Sequence, residues 1–212
     1  MVKTVINFNR FLLIVFCLLI SACSTKHQVK SPPLDEWTIS TISPKYYTVR
    51  GDILLIVGER KQGGWRGMVG KTTMESENPL GWDGGERFHS GYSISSTELP
   101  ASFYIRWHSL ANKKTYNKTI KVSEDIRNKM REYHDIRCGK SNRLKPYKNN
   151  ILLGLAPDGM ISVFLNGGCF DNELQFKVQA VEYKVADDFV YPELKKESQD
   201  YVDEHGVPVG IW

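Results

Sequence analysis

The stretch that most restricts the fold lies between Ile151 and Ala180. Ile151 to Leu155 is an apolar run of strand length. Ala156-Pro157-Asp158-Gly159 then has proline and glycine placed for a β-turn, and Met160 to Leu165 is the returning strand. Asn166-Gly167-Gly168 supplies a second turn, after which Leu174, Phe176, Val178 and Ala180 alternate down a third strand. This pattern is a meander, and it commits the chain to antiparallel sheet. The three glycines from Leu155 to Cys169 read as turn residues, because no helix start comes after them to form a phosphate cradle.

The remaining elements agree with that start. Trp37 to Ile42 and Tyr46 to Val49 read as strands or strand edges, and Asp52 to Val57 as a compact buried strand ended by Gly58. Phe103, Ile105 and Trp107 alternate with Tyr104, Arg106 and His108, putting three large apolar groups on one face; Thr115 to Val122 is the expected antiparallel partner. Ser123 caps a helix with Glu124 and Asp125 in its first turn and Ile126, Met130 and Tyr133 as its buried stripe, ending near Asp135. A second helix starts at Pro192, puts Leu194, Tyr201 and Val202 on one face, and stops at Gly206 and Pro208. The expected class is α+β: mainly antiparallel, sandwich-like sheet with helices over about 123–135 and 192–204.

The first residues set the compartment. Lys3 and Arg10 precede an uncharged run from Phe11 to Ile20, too short to span a bilayer, and small residues stand next at Ser21 and Ala22. Residues 1–22 therefore read as a signal peptide. Ile20-Ser21-Ala22-Cys23 resembles the lipobox, in which the cysteine is acylated and becomes the first mature residue; an ordinary secretory signal is the alternative. Ser24 after the cysteine favours, by resemblance to known lipoproteins, the outer membrane. Residues 23–35, polar and bearing Pro32 and Pro33, read as a lipidated tether, and 36–212 as a single globular domain.

Two cysteines remain in that domain, Cys138 and Cys169, since Cys17 falls in the leader. In an oxidising compartment an even pair is a disulfide candidate; two buried thiols or a reactive cysteine are the other readings. The formal charge of +4 drops to +2 without Lys3 and Arg10, so it identifies no partner. Basic residues gather at Arg137, Lys140, Arg143, Lys145 and Lys148, either as a solvated loop or as a patch for anionic lipid or an acidic protein. No basic run with interleaved aromatics supports nucleic-acid binding.

From Gly63 to Gly91 the composition turns glycine-rich. Gly70-Lys71-Thr72 ends like a phosphate loop, but the required earlier glycine is replaced by Trp65, so the motif fails. Trp65, Trp82 and Phe88, with Arg66 and Arg87, are either core residues or contacts to a partner protein. His89, His108, His134 and His205 are raw material for catalysis, yet no GxSxG elbow, HExxH or metal-ligand spacing occurs. No catalytic residue, metal or cofactor is expected.

Three stretches carry a family resemblance: "YKNNILLGLAPDGMISVFLNGG" (Tyr147 to Gly168), "LPASFYIRWHSLANKKTYNKTI" (Leu99 to Ile120) and "HGVPVGIW" (His205 to Trp212). With the lipobox they resemble the bacterial lipoproteins catalogued as domain of unknown function 2931. The family often has tryptophan where this chain has Phe164. The resemblance implies an envelope lipoprotein of a kind often encoded beside type VI secretion effectors, notably lipases. It implies an immunity role, in which the protein occupies a toxin in the periplasm. No catalytic residues come with it. A structural or assembly lipoprotein of the envelope is the competing expectation.

Overall fold

The computed structural model describes residues 32–59, 64–67, 72–82, 91–140, 142–185 and 190–212. Their order is β1 (Glu36–Ser43), β2 (Val49–Gly58), β3 (Gly64–Gly67), β4 (Met74–Glu75), β5 (Gly91–Ser95), β6 (Pro100–Ser109), β7 (Lys114–Lys121) and α1 (Glu124–Arg131). Next come β8 (Arg137–Cys138), β9 (Arg143–Leu144), β10 (Asn150–Leu155), β11 (Met160–Gly167), β12 (Phe170–Gln179), β13 (Val181–Glu182) and α2 (Lys196–His205). The expected α+β class is the class observed.

Two sheets face each other across one core. The first runs β12-β11-β10-β1-β4, with β5 also on β1; the second runs β13-β7-β6-β2-β3. Alternation explains the filling between them: Trp37 and Ile39 point in from β1, Leu54 and Ile56 from β2, Phe103, Ile105 and Trp107 from β6, and Ile151, Leu153 and Leu155 from β10. Ile126 and Met130 of α1 join the same cluster. Most pairings are antiparallel, but β1 runs parallel to both β10 and β4. More than a hundred residues separate β1 from β10, so no tight turn dictates their direction.

Several elements differ from the sequence reading. Tyr46 to Val49 is no separate strand: Tyr46 takes φ 69° in a turn, and β2 opens only at Val49. The run Asp52 to Val57 is buried on one face alone, with Leu55 37% and Val57 40% exposed. Ser123 does cap α1, its Oγ accepting from the Ile126 N–H, but the helix ends at Arg131 because the chain turns away and the His134 N–H donates to the Pro146 carbonyl. Tyr133 consequently leaves the stripe and is exposed. α2 starts at Lys196, four residues beyond Pro192, and Gly206 ends it with φ 72°, its N–H bonded to the Val202 carbonyl.

The meander forms with two adjustments. Gly159 takes φ 89° in the first turn, whereas the second turn is Gly168-Cys169 because β11 continues through Gly167. A bulge near Gln175 shifts the register so that Leu174 faces Phe164 while Phe176 faces Val163. An extra residue flips every later side chain of the strand to the other face, so Leu174 stands outside, away from Phe176 and Val178.

The same shift completes a row of amides on the outer face of the first sheet. Ser40 Oγ donates to Asn150 Oδ1 (2.9 Å), Asn150 Nδ2 to Asn166 Oδ1 (2.6 Å), and Asn166 Nδ2 to Asn172 Oδ1 (2.5 Å). Ser40, Asn150 and Asn166 are buried, and each hydrogen bond offsets the desolvation of its partners.

Candidate functional site

A second bulge builds the densest group of titratable side chains. β2 and β6 pair regularly until the register shifts between Gly51 and Ile53, which leaves Asp52 as the extra residue. A bulge re-aims its side chain. Asp52 Oδ2 accepts from Tyr191 Oη at 2.9 Å and lies 3.4 Å from Arg106 Nε. Burial raises the Asp52 carboxyl above its ordinary range, against the opposing pull of Tyr191 and Arg106. The Arg106 guanidinium also sits over the Tyr183 ring, 5.0 Å from its centroid.

His108, two residues along β6, lies flat on Tyr191 with ring centroids 3.4 Å apart. Its Nδ1 and Thr115 Oγ1 share a hydrogen bond of 2.8 Å. Burial depresses the imidazole to about 4, so it is neutral at pH 7. Burial likewise raises the Tyr191 phenol. These contacts bolt the segment around Tyr183 and Tyr191 onto the second sheet. Beside them opens a cavity of about 590 Å³ lined by His108, Thr115, Tyr183, Lys184, Tyr191 and Glu193, among others.

The outward face of the same sheet is apolar in part. Register places Leu55 beside Tyr104 and Val57 beside Ser102; Ile53, Arg106, Asn117 and Val181 form the next row on that face. Val181 is 58% and Tyr183 39% exposed. On this face Tyr183 lines the cavity, while Leu55 and Val57 lie farther along the strands.

The residues singled out from sequence are distributed differently. Trp65 and Arg66 lie on β3 at the edge of the second sheet, paired with Ile56 and Leu55. Trp82 covers the outer face of the first sheet instead. Its ring, 5.9 Å from that of Trp212, lies so close to Gly154 that a Cβ there would meet it at 2.7 Å. Arg87, Phe88, His89 and Cys23 lie outside the described residues. His108, His134 and His205 do not converge: His134 meets Phe170 edge-on, and His205 stacks on Tyr201 of α2. Among the described residues, no group of three or more His, Cys, Asp or Glu side chains is placed to hold a metal ion. Cys138 and Cys169 come together as a disulfide with Cα atoms 6.0 Å apart.

Asp52, Thr115, Tyr183 and Tyr191 were missed as site residues. Their one sequence signal is weak: an aspartate opening the apolar run Ile53–Val57 directly after a glycine, where a bulge is tolerated.

No curated protein and no solved structure matches the chain. A family model described as protein of unknown function (DUF2931) matches residues 24–210, which include β1 through α2 and the whole bulged site. The chain therefore belongs to the DUF2931 family.

Proposed function

We propose that this protein is an outer-membrane lipoprotein facing the periplasm, acylated at Cys23, that binds and neutralises a membrane-targeting toxin. The toxin class is a type VI secretion phospholipase effector. The reading of leader and anchor rests on Ile20-Ser21-Ala22-Cys23 and on the resemblance to envelope lipoproteins. The observation that carries binding is the outward face of the second sheet. There Leu55, Val57 and Val181 are exposed along the sheet and Tyr183 is exposed at the cavity, while Asp52, Arg106 and His108 are engaged by Tyr191, Tyr183 and Thr115. A partner side chain entering the cavity would act as the anchor of the interface. A lipid anchor raises the effective concentration at the surface under attack.

Co-expression tests the reading. If the adjacent reading frame encodes a secreted phospholipase, its periplasmic expression should kill alone and be tolerated with this protein, and the two should coelute on a sizing column. Unchanged killing with no complex overturns the immunity role and favours a structural lipoprotein. Leu55→Asp with Val181→Asp should abolish coelution while leaving thermal unfolding intact. Palmitate labelling lost on Cys23→Ala tests the anchor.

A further inference from the structure

From Ile136 to Lys148 the chain carries five cations and no acid. β8 and β9 close this stretch into a hairpin, with Gly139 and Asn142 at positive φ in the turn. Three further ties fix it. The Lys145 N–H donates to the Ile136 carbonyl at 2.8 Å, the His134 N–H donates to the Pro146 carbonyl at 2.8 Å, and Cys138 is linked to Cys169 in the β11–β12 turn. Arg137, Lys140, Arg143 and Lys145 are all exposed, and among the described residues none of them is in an ion pair. Lys129 and Lys148 nearby are both taken by Glu173. The four like charges held together by these ties add nothing to stability themselves, because their mutual repulsion opposes folding.

Its location supplies the second argument. The hairpin runs into Asn149, whose carbonyl accepts from the Thr38 N–H at 2.8 Å and whose Nδ2 donates to the Glu36 carbonyl at 3.2 Å. The first strand of the domain thus opens at the hairpin. The sequence between Cys23 and Glu36 reaches at most about 45 Å when fully extended.

We propose that the hairpin is a docking surface for the anionic phospholipid headgroups of the membrane that holds the anchor, an inference that rests on acylation of Cys23. A tether of that reach allows the cations to meet the lipid surface, where the attraction acts within a Debye length. Each basic residue close to an anionic bilayer strengthens binding about fivefold. Asp35, Glu36, Asp135 and Asp171 are acids near the same end and reduce that gain.

The full chain carrying Cys23→Ala, which has no acyl group, is mixed with vesicles of phosphatidylcholine alone or with added phosphatidylglycerol. Binding should favour the anionic vesicles and weaken with salt. Adding Arg137→Gln, Lys140→Gln, Arg143→Gln and Lys145→Gln should reduce the anionic binding on the order of a hundredfold. Equal binding to both vesicles overturns the proposal, as does an unchanged quadruple variant, which would assign any anionic preference to Lys3 and Arg10 of the leader. Preference for polyglutamate with no gain on anionic vesicles also overturns it and assigns the hairpin to an acidic protein. Failure of the premise is read separately: wild-type protein from cells lacking an acyl mass removes the anchor and the proposal with it.

Discussion

The bulged corner around Asp52 and the hairpin around Cys138 are both rich in charged groups, and they use them in opposite ways. At the corner, Asp52, Tyr191, His108 and Thr115 are hydrogen-bonded in a largely buried setting, and Arg106 Nε, which has no hydrogen-bond partner among the described residues, faces the Asp52 carboxylate at 3.4 Å. Changing one partner leaves the others unpaired at low dielectric, so these residues are stability elements. On the hairpin, Arg137, Lys140, Arg143 and Lys145 face water with no ion pair among the described residues, so their charge is available to a partner. Attraction of an oppositely charged surface is therefore expected at the hairpin, where charge is left over, and not at the corner itself.

The contrast breaks most directly at Asp52. Asp52→Ala strands Arg106, which retains 23% side-chain exposure, and should cost about 3 kcal/mol in denaturant unfolding. A loss under about 0.5 kcal/mol would make the corner no different from an exposed salt bridge. Removing the disulfide with Cys138→Ser and Cys169→Ser should cost a comparable ~3 kcal/mol through the unfolded chain. The hairpin's amide protons would then exchange faster, while those of β6 would not.

Acid separates the two regions next. The His108 imidazole sits at about 4, against 6.5 for an unperturbed histidine, so the unfolded chain binds the proton first. Stability is then complete above pH 6.5 and falls as pH drops toward 4, by up to about 3 kcal/mol. Asp52, held above its ordinary value, works in the opposite sense within the carboxylate range. His108→Gln should flatten the slope of stability between pH 6.5 and 4. The smallest effect belongs to the hairpin: replacing its four free cations with glutamine should change stability by no more than about 0.5 kcal/mol. A larger loss would show that those cations have partners within the fold.

The elements with strong local signals were readable in the sequence. Phe103, Ile105 and Trp107 announced the inward face of β6, Ser123 the start of α1, and Pro157 to Gly159 the first turn of the meander. The misreadings occurred where distant contacts override local pattern. Leu174 left its expected face because a bulge interrupts β12, and Tyr46 entered a turn although its residue type favours strand. Trp82 lies over Gly154, which has no side chain, and packs against Ile42, Leu152 and Phe164. Asp52 and Tyr191 are separated by 139 residues, and no spacing rule joins them.

By itself, then, the sequence determined the α+β class, the meander, the cap of α1 and the cysteine pair available for a bridge. These depend on period, turn chemistry and composition, which act over a few residues. Only the tertiary structure decided that β1 lies parallel to β10 and that Asp52 meets Arg106 and Tyr191. It also placed the basic hairpin beside the opening of β1. Each of those outcomes depends on which surfaces are buried against one another, and burial is a property of the whole chain.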